Sequence, residues 1–178
     1  TTQIQALETV DLQALKADFI KITDSTLTPE LFLYALSRTK ALGLKTSGHI
    51  PMALTIGQAT DAGLSSIEHL DYAFKAAAKD EASISSEFAA GRLTRSEANR
   101  RIDTGFDEAT AMASFRMFAA QNVYVTPTLN GSRIIAYLDQ ESHTGDAYLS
   151  YIGPKLIKTY DWRIQRAAQA DAAAITAR

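Results

Sequence analysis

Between Ala17 and Leu70 the hydrophobic period switches repeatedly between two and about 3.6, and each switch is marked by Gly or Pro. Ala17-Asp18-Phe19-Ile20-Lys21-Ile22-Thr23 is a short apolar, β-branched run and predicts a buried strand. Thr28-Pro29 follows, an N-cap with Pro in the first helical turn, and it predicts a helix to about Ala41 that Gly43 stops. Leu44 to His49 predicts a second strand, Leu54 to Ala62 a short helix ending at Gly63, and Leu64 to Leu70 a third strand. Strand, helix, Gly, strand, helix, Gly, strand is the pattern of a parallel sheet with right-handed crossover helices, so the predicted fold class is α/β.

After Asp71 the rhythm breaks. Residues 72–105 are polar, Ala-rich and predicted to form a helical insertion, in which Thr94-Arg95-Ser96-Glu97 has the form of a capping box. Helix is expected again from about Phe106 to Ala120. Asn122 to Leu129 predicts a fourth strand that Pro127 ends, because Pro cannot donate to a central ladder. Residues 131–178 read as a mostly helical tail.

Composition narrows the function classes. With 18 basic and 20 acidic residues the net charge is −2, so the basic face of a general nucleic-acid binder is not expected. The chain has no Cys, which removes disulfides, thiolate metal sites and a Cys nucleophile, and leaves compartment (cytoplasmic or periplasmic) unread. No apolar run approaches the ~20 residues that span a bilayer, and residues 1–10 lack the charged start and apolar run of a signal peptide. The chain starts without Met and ends on Ile175-Thr176-Ala177-Arg178, and is expected to be a piece of a longer protein.

Three residues share one location. Lys21, His49 and His69 each fall at the C-terminal end of a predicted parallel strand, the edge where α/β barrels and open sheets build their sites. Each has a plain structural reading: a snorkelling Lys, or a His held in the core. The functional reading is a metal site, because neutral imidazole suits zinc and similar ions, and a neutral Lys amine can react with carbon dioxide to give a carbamate with two anionic oxygens. Glu68 alternates with His69 and is expected on the opposite side, as a helix-facing or supporting carboxylate. His143 is expected in a solvated turn. Thr126 and Thr128 are expected either to line a pocket or to cap the fourth strand, and the charged stretch 92–107 to form a solvated helix face. No phosphate-binding Gly-rich loop, G-x-S-x-G elbow or H-E-x-x-H helix is present.

The runs ADFIKIT (17–23), ALGLKTSGHIP (41–51), ATDAGLSSIEHL (59–70) and NVYVTPTL (122–129), in that order, resemble the metal-dependent amidohydrolase superfamily, nearest to its imidazolonepropionase-like and prolidase-like hydrolases. The resemblance implies a partial (β/α)8 TIM barrel over residues 1–178, about strands four to seven with outer helices and the helical insertion. It implies that Lys21 is the carboxylated bridging Lys, and that His49 and His69 are metal ligands of the fifth and sixth strands. It implies one or two divalent metals in the full-length protein, zinc foremost, with weak or absent binding in the fragment. Metal-activated water would hydrolyse a C–N bond of a small amide or cyclic amide substrate. The family's H-x-H pair and its final Asp have no counterpart here, so no residue is assigned a catalytic role and the isolated chain is expected to be inactive. Asp24-Ser25-Thr26-Leu27 stands where prolidase-like members carry a Gly-rich segment, which argues against an Xaa-Pro substrate. Exposed barrel edges near Phe19 and Tyr124 are expected to permit a homo-oligomer. Two other readings compete: a non-catalytic α/β interaction domain with structural His49 and His69, and a lyase or aldolase using Lys21 as a Schiff-base amine.

Overall fold

The structure, a computed structural model, describes residues 16–23, 26–140, 142–143, 145–170, 172 and 175. Residues 1–10, read above for a leader, lie outside this set, as do Asp24 and Ser25 and most of 171–178. By compactness the chain divides into two units, Thr1–Pro127 and Thr128–Arg178.

The first unit carries a four-stranded sheet. Strands β1 (Phe19–Ile22), β2 (Lys45–Gly48), β3 (Leu64–Glu68) and β4 (Tyr124–Thr126) lie side by side in chain order, all parallel. The crossovers are helical: α1 (Pro29–Ala41) joins β1 to β2, and α2 (Ile56–Ala62) joins β2 to β3. Between β3 and β4 come α3 (Leu70–Ala76), α4 (Glu81–Ala89), α5 (Arg95–Thr104) and α6 (Glu108–Ala120). The predicted α/β class and the parallel sheet are what the structure contains.

The starts and stops follow local chemistry. Thr28 caps α1 by accepting from the Leu31 N–H, with Pro29 in its first turn. Thr55 with Gln58, and Thr94 with Glu97, form capping boxes on α2 and α5. Gly63 ends α2 at φ +119°, a conformation that disfavours any other residue. Gly48 has a steric reason: a Cβ there would meet the Ile22 Cβ and carbonyl oxygen at 3.0 Å, so Gly lets the end of β2 close onto β1.

The core forms on one side of the sheet. Ile22, Leu64, Ile67 and Val123 pack with Phe32 and Leu36 of α1, Ile56 and Ala59 of α2, and Phe118 of α6. Two buried hydroxyls fasten α1 to β2: Thr39 and Thr46 lie 2.6 Å apart, and Thr39 donates to the Leu36 carbonyl, so Thr46 donates to Thr39. The helices after β3 add a smaller cluster of Met52, Ala78, Ile84, Ala98 and Ile102. Thus the charged stretch 92–107 is not wholly solvated. Ala98 and Ile102 are buried, and Arg101 pairs with Asp80 and Glu87 at 2.5 and 3.2 Å.

All four strands are shorter than predicted, and the last two differ in ways that shape the site. β3 ends at Glu68, because His69 takes φ +72° and Leu70 already opens α3. β4 has three residues instead of eight; Pro127 follows it, Thr128 turns at φ +52°, and Leu129 begins a helix. A short apolar run carries no period that separates a strand end from a helix start.

The second unit contains α7 (Leu129–Ala136), a 3₁₀ turn (Ala147–Tyr151) and α8 (Pro154–Ala168). Among the described residues no helix is long and apolar enough to cross a membrane.

Candidate functional site

Parallel pairing puts the C-terminal ends of β1, β2 and β3 on one edge, with Lys21 opposite Ser47 and Ile22 opposite Gly48. His49 extends the β1–β2 ladder by one step, its N–H donating to the Ile22 carbonyl at 2.9 Å. The His69 N–H does the same across β3–β4, to the Thr126 carbonyl at 2.9 Å. Each histidine backbone is therefore fixed by the sheet itself. The positive φ of His69 then turns its side chain out of the strand's alternation. That conformation costs a non-Gly residue on the order of 1–3 kcal/mol, and such residues cluster where geometry serves function.

The two imidazoles meet. His49 Nε2 and His69 Nε2 are 2.8 Å apart, with ring centroids at 4.8 Å. His49 Nδ1 is 2.7 Å from the Thr23 carbonyl oxygen. A carbonyl only accepts, so Nδ1 carries the proton and the Nε2 of neutral His49 is a bare acceptor. In the pair, His69 Nε2 is then the donor. The ring of Tyr72 stacks on His49 at 6.5 Å, and burial raises the Tyr72 phenol above its usual pKa.

A second polar cluster sits beside this pair. Lys21 Nζ is 3.0 Å from Glu68 Oε2, and Ser47 donates to Glu68 Oε1 at 2.5 Å. The Ser47 hydrogen bond, with help from Lys21 and against desolvation, holds the Glu68 carboxyl below its usual pKa. Of the two expectations for Glu68, the helix-facing one is corrected and the supporting one fits: the carboxylate lies on the sheet's other side, with Lys21 and Ser47. Alternation fails twice around here: the β2–β3 register shifts so that Leu64 and Ile67 both face the core, and His69, past the strand, turns at positive φ.

The structure thus brings His49 and His69 together and gives Lys21 to Glu68. The Lys21 amine lies 3.0 Å from Glu68 Oε2, so the residue it meets in this structure is a carboxylate and not the histidine pair. Imidazole nitrogens are ligands that zinc takes; here the two Nε2 atoms converge and one ring is oriented through Nδ1 by a backbone carbonyl, and a metal would have to displace the proton that His69 Nε2 shares with His49. Among the described residues no group of three or more His, Cys, Asp and Glu side chains is arranged to hold a metal. The set is therefore a two-histidine one.

His143 is not the solvated residue expected. It is half-buried in the second unit, with Nδ1 3.0 Å from Asp146 Oδ2. Thr126 serves the site through its carbonyl, and the Thr128 side chain makes no capping bond to α7. Sequence reasoning also missed Ser47 and Tyr72 beside the site, and a buried support beneath it. Lys75, only 2% exposed, donates to the Met52 and Leu54 carbonyls at 2.8 and 2.5 Å. Glu81 accepts from the Ile56 N–H at 2.6 Å. Together they fasten the loop that leaves His49. Desolvation pushes Lys75 down to about 8 and Glu81 above its usual range. The available signal was a Lys inside the apolar run Tyr72-Ala73-Phe74-Lys75-Ala76-Ala77-Ala78.

Comparison of the chain with protein-family models, curated proteins and solved structures finds no match.

Proposed function

We propose that this chain is the strand-four-to-seven portion of a (β/α)8 barrel hydrolase, with His49 and His69 as ligands of a divalent metal, zinc foremost. The observation that carries the reading is the convergence of the two Nε2 atoms, 2.8 Å apart, from the C-terminal ends of adjacent parallel strands. The strand order supports it. A doubly wound sheet reverses direction at a switch point, whereas a barrel adds strands in one direction with helices outside and side chains inside. Here the order runs β1-β2-β3-β4 without reversal, the core lies on one side, and Phe19 and Tyr124 on the other are 56% and 64% exposed.

His49 and His69 would hold the ion, with Thr23 orienting the His49 ring. A divalent ion there supplies Lewis-acid polarisation of a carbonyl and an activated water, the chemistry of amide C–N hydrolysis on a small-molecule substrate. Glu68, fixed by Ser47 and Lys21, places a carboxylate beside His69. Catalytic zinc ordinarily takes three protein ligands, so the isolated chain binds metal weakly and turns over little substrate. Its open edges at β1 and β4 favour self-association.

The test is metal content by elemental mass spectrometry after purification with zinc and bicarbonate, for the parent chain and for His49→Ala and His69→Ala. About one zinc per chain, lost in both variants, supports the reading. Because binding is weak, zinc is also titrated to millimolar concentration against each chain; zinc bound equally by either variant, or no saturable zinc binding by the parent even there, overturns it. Absence would favour the second reading, a non-catalytic α/β domain in which the histidines are structural. That reading has its own observation: the two rings already satisfy each other by a hydrogen bond.

A further inference from the structure

The second unit contains a cavity of about 290 Å³ between α7, the 3₁₀ turn and α8. Its walls are mainly aliphatic, with Leu138, Ile152, Ile157 and Ile164 among them. Its polar lining is acidic. Asp146 accepts from His143 Nδ1 and from the Tyr148 hydroxyl, so that carboxylate is held in place. Asp161 also faces the cavity and has no hydrogen-bond or ion-pair partner among the described residues. No lysine or arginine is among the described residues lining it. The lining is therefore negative whether His143 is neutral or charged.

We propose that this cavity binds a small organic cation with an apolar body, of the arylalkylamine class. The aliphatic walls take the body, which an apolar pocket with a few converging polar groups is suited to do. The Asp161 carboxylate takes the ammonium. Tyr148 and Tyr160 also line the cavity; Arg163 lies over the Tyr160 ring at 5.8 Å, so Tyr148 is the ring proposed to meet the cation. An anionic ligand of the same shape would meet two carboxylates, and a neutral one would leave Asp161 unpaired. The site is independent of the histidine pair and stands or falls without it.

The test uses one apolar body with three head groups: 4-phenylbutylamine, 4-phenylbutanol and 4-phenylbutyrate, titrated into the full chain by calorimetry. Trp162, the only Trp, lies on α8 and gives a second readout by fluorescence. The amine should bind one per chain, with the alcohol at least roughly tenfold weaker, the scale of one hydrogen bond to a charged group, and the butyrate weaker still. Asp161→Asn, an exposed change that leaves the fold intact, should bring the amine to the level of the alcohol and leave the alcohol unchanged. Ile164→Trp should fill the cavity and abolish binding of both. Equal affinity for amine and alcohol, unchanged amine affinity in Asp161→Asn, undiminished binding in Ile164→Trp, or no saturable binding of any probe would each overturn the proposal.

Discussion

The two sides of the sheet are made by residues of the same four strands, alternating except where the β2–β3 register shifts after Thr46 and leaves Leu64 and Ile67 on one side. On the helix side Ile22, Thr46, Leu64 and Ile67 are buried against α1, α2 and α6, and the only polar group among them, the Thr46 hydroxyl, is paired. On the other side Phe19, Lys21, Lys45, Glu68 and Tyr124 are exposed or half-buried, linked by an ion pair and by Lys45 lying 5.9 Å over the Tyr124 ring. The first side holds the fold together through area removed from water. The second contributes little to stability and keeps its chemistry available. The candidate site belongs to neither alone: it lies where both end, at the strand C-termini.

Substitutions at neighbouring positions test that division most sharply. Ile67→Ala, on the helix side, should cost about 2–5 kcal/mol in urea unfolding, the usual loss for a large buried aliphatic residue. Glu68→Gln, one residue on, should cost less than about 1 kcal/mol, because its pair with Lys21 is partly exposed. If the two losses are equal, the sides do not differ as described.

Lys75 gives an effect of similar size in pH. Its folded value is about 8, against about 10.5 when free. Below pH 8 both states carry the proton and the cost of burying the charge is complete. Between pH 8 and 10.5 the unfolded chain holds the proton and the folded chain does not, so stability should rise with pH, by on the order of 3 kcal/mol. Lys75→Met should flatten that rise. Glu81 acts in the other direction at lower pH: its raised value means that stability falls as pH climbs from 4.5 through its folded pKa. A flat alkaline limb in the parent chain would show that Lys75 is solvated.

Smaller effects should follow on the open side. Ser47→Ala removes the hydroxyl that fixes Glu68 and should cost about 1 kcal/mol. Tyr124→Ala should change stability by less than about 0.5 kcal/mol, as for an exposed residue. A large loss in Tyr124→Ala at high protein concentration, shrinking on dilution, would instead show that a second copy covers this side.

Much of the first unit was legible from residue order. Thr28-Pro29, Gly43, Gly63 and the Thr94–Glu97 box act within a turn of chain, so α1, α2 and α5 could be placed without the fold. The strand-end positions of Lys21, His49 and His69 followed from the same rhythm. Local pattern did not reach the partners. Ser47 meets Glu68 across 21 residues and His49 meets the Thr23 carbonyl across 26, through a parallel register that only the assembled sheet sets. It did not reach Lys75 either, because a lone Lys in an apolar run is buried or solvated according to which carbonyls the fold brings to its amine. Nor could it show His69 at φ +72°, since the Thr126 carbonyl that its N–H meets there comes from a strand more than fifty residues on. Sequence alone therefore determined the α/β class, the helix ends and the edge on which the site stands, because these depend on hydrogen bonds and periodicity within a few residues. The tertiary structure decided which histidine nitrogen faces which, that Lys21 belongs to Glu68, and which charges are buried, because those outcomes depend on distances between residues far apart in the chain.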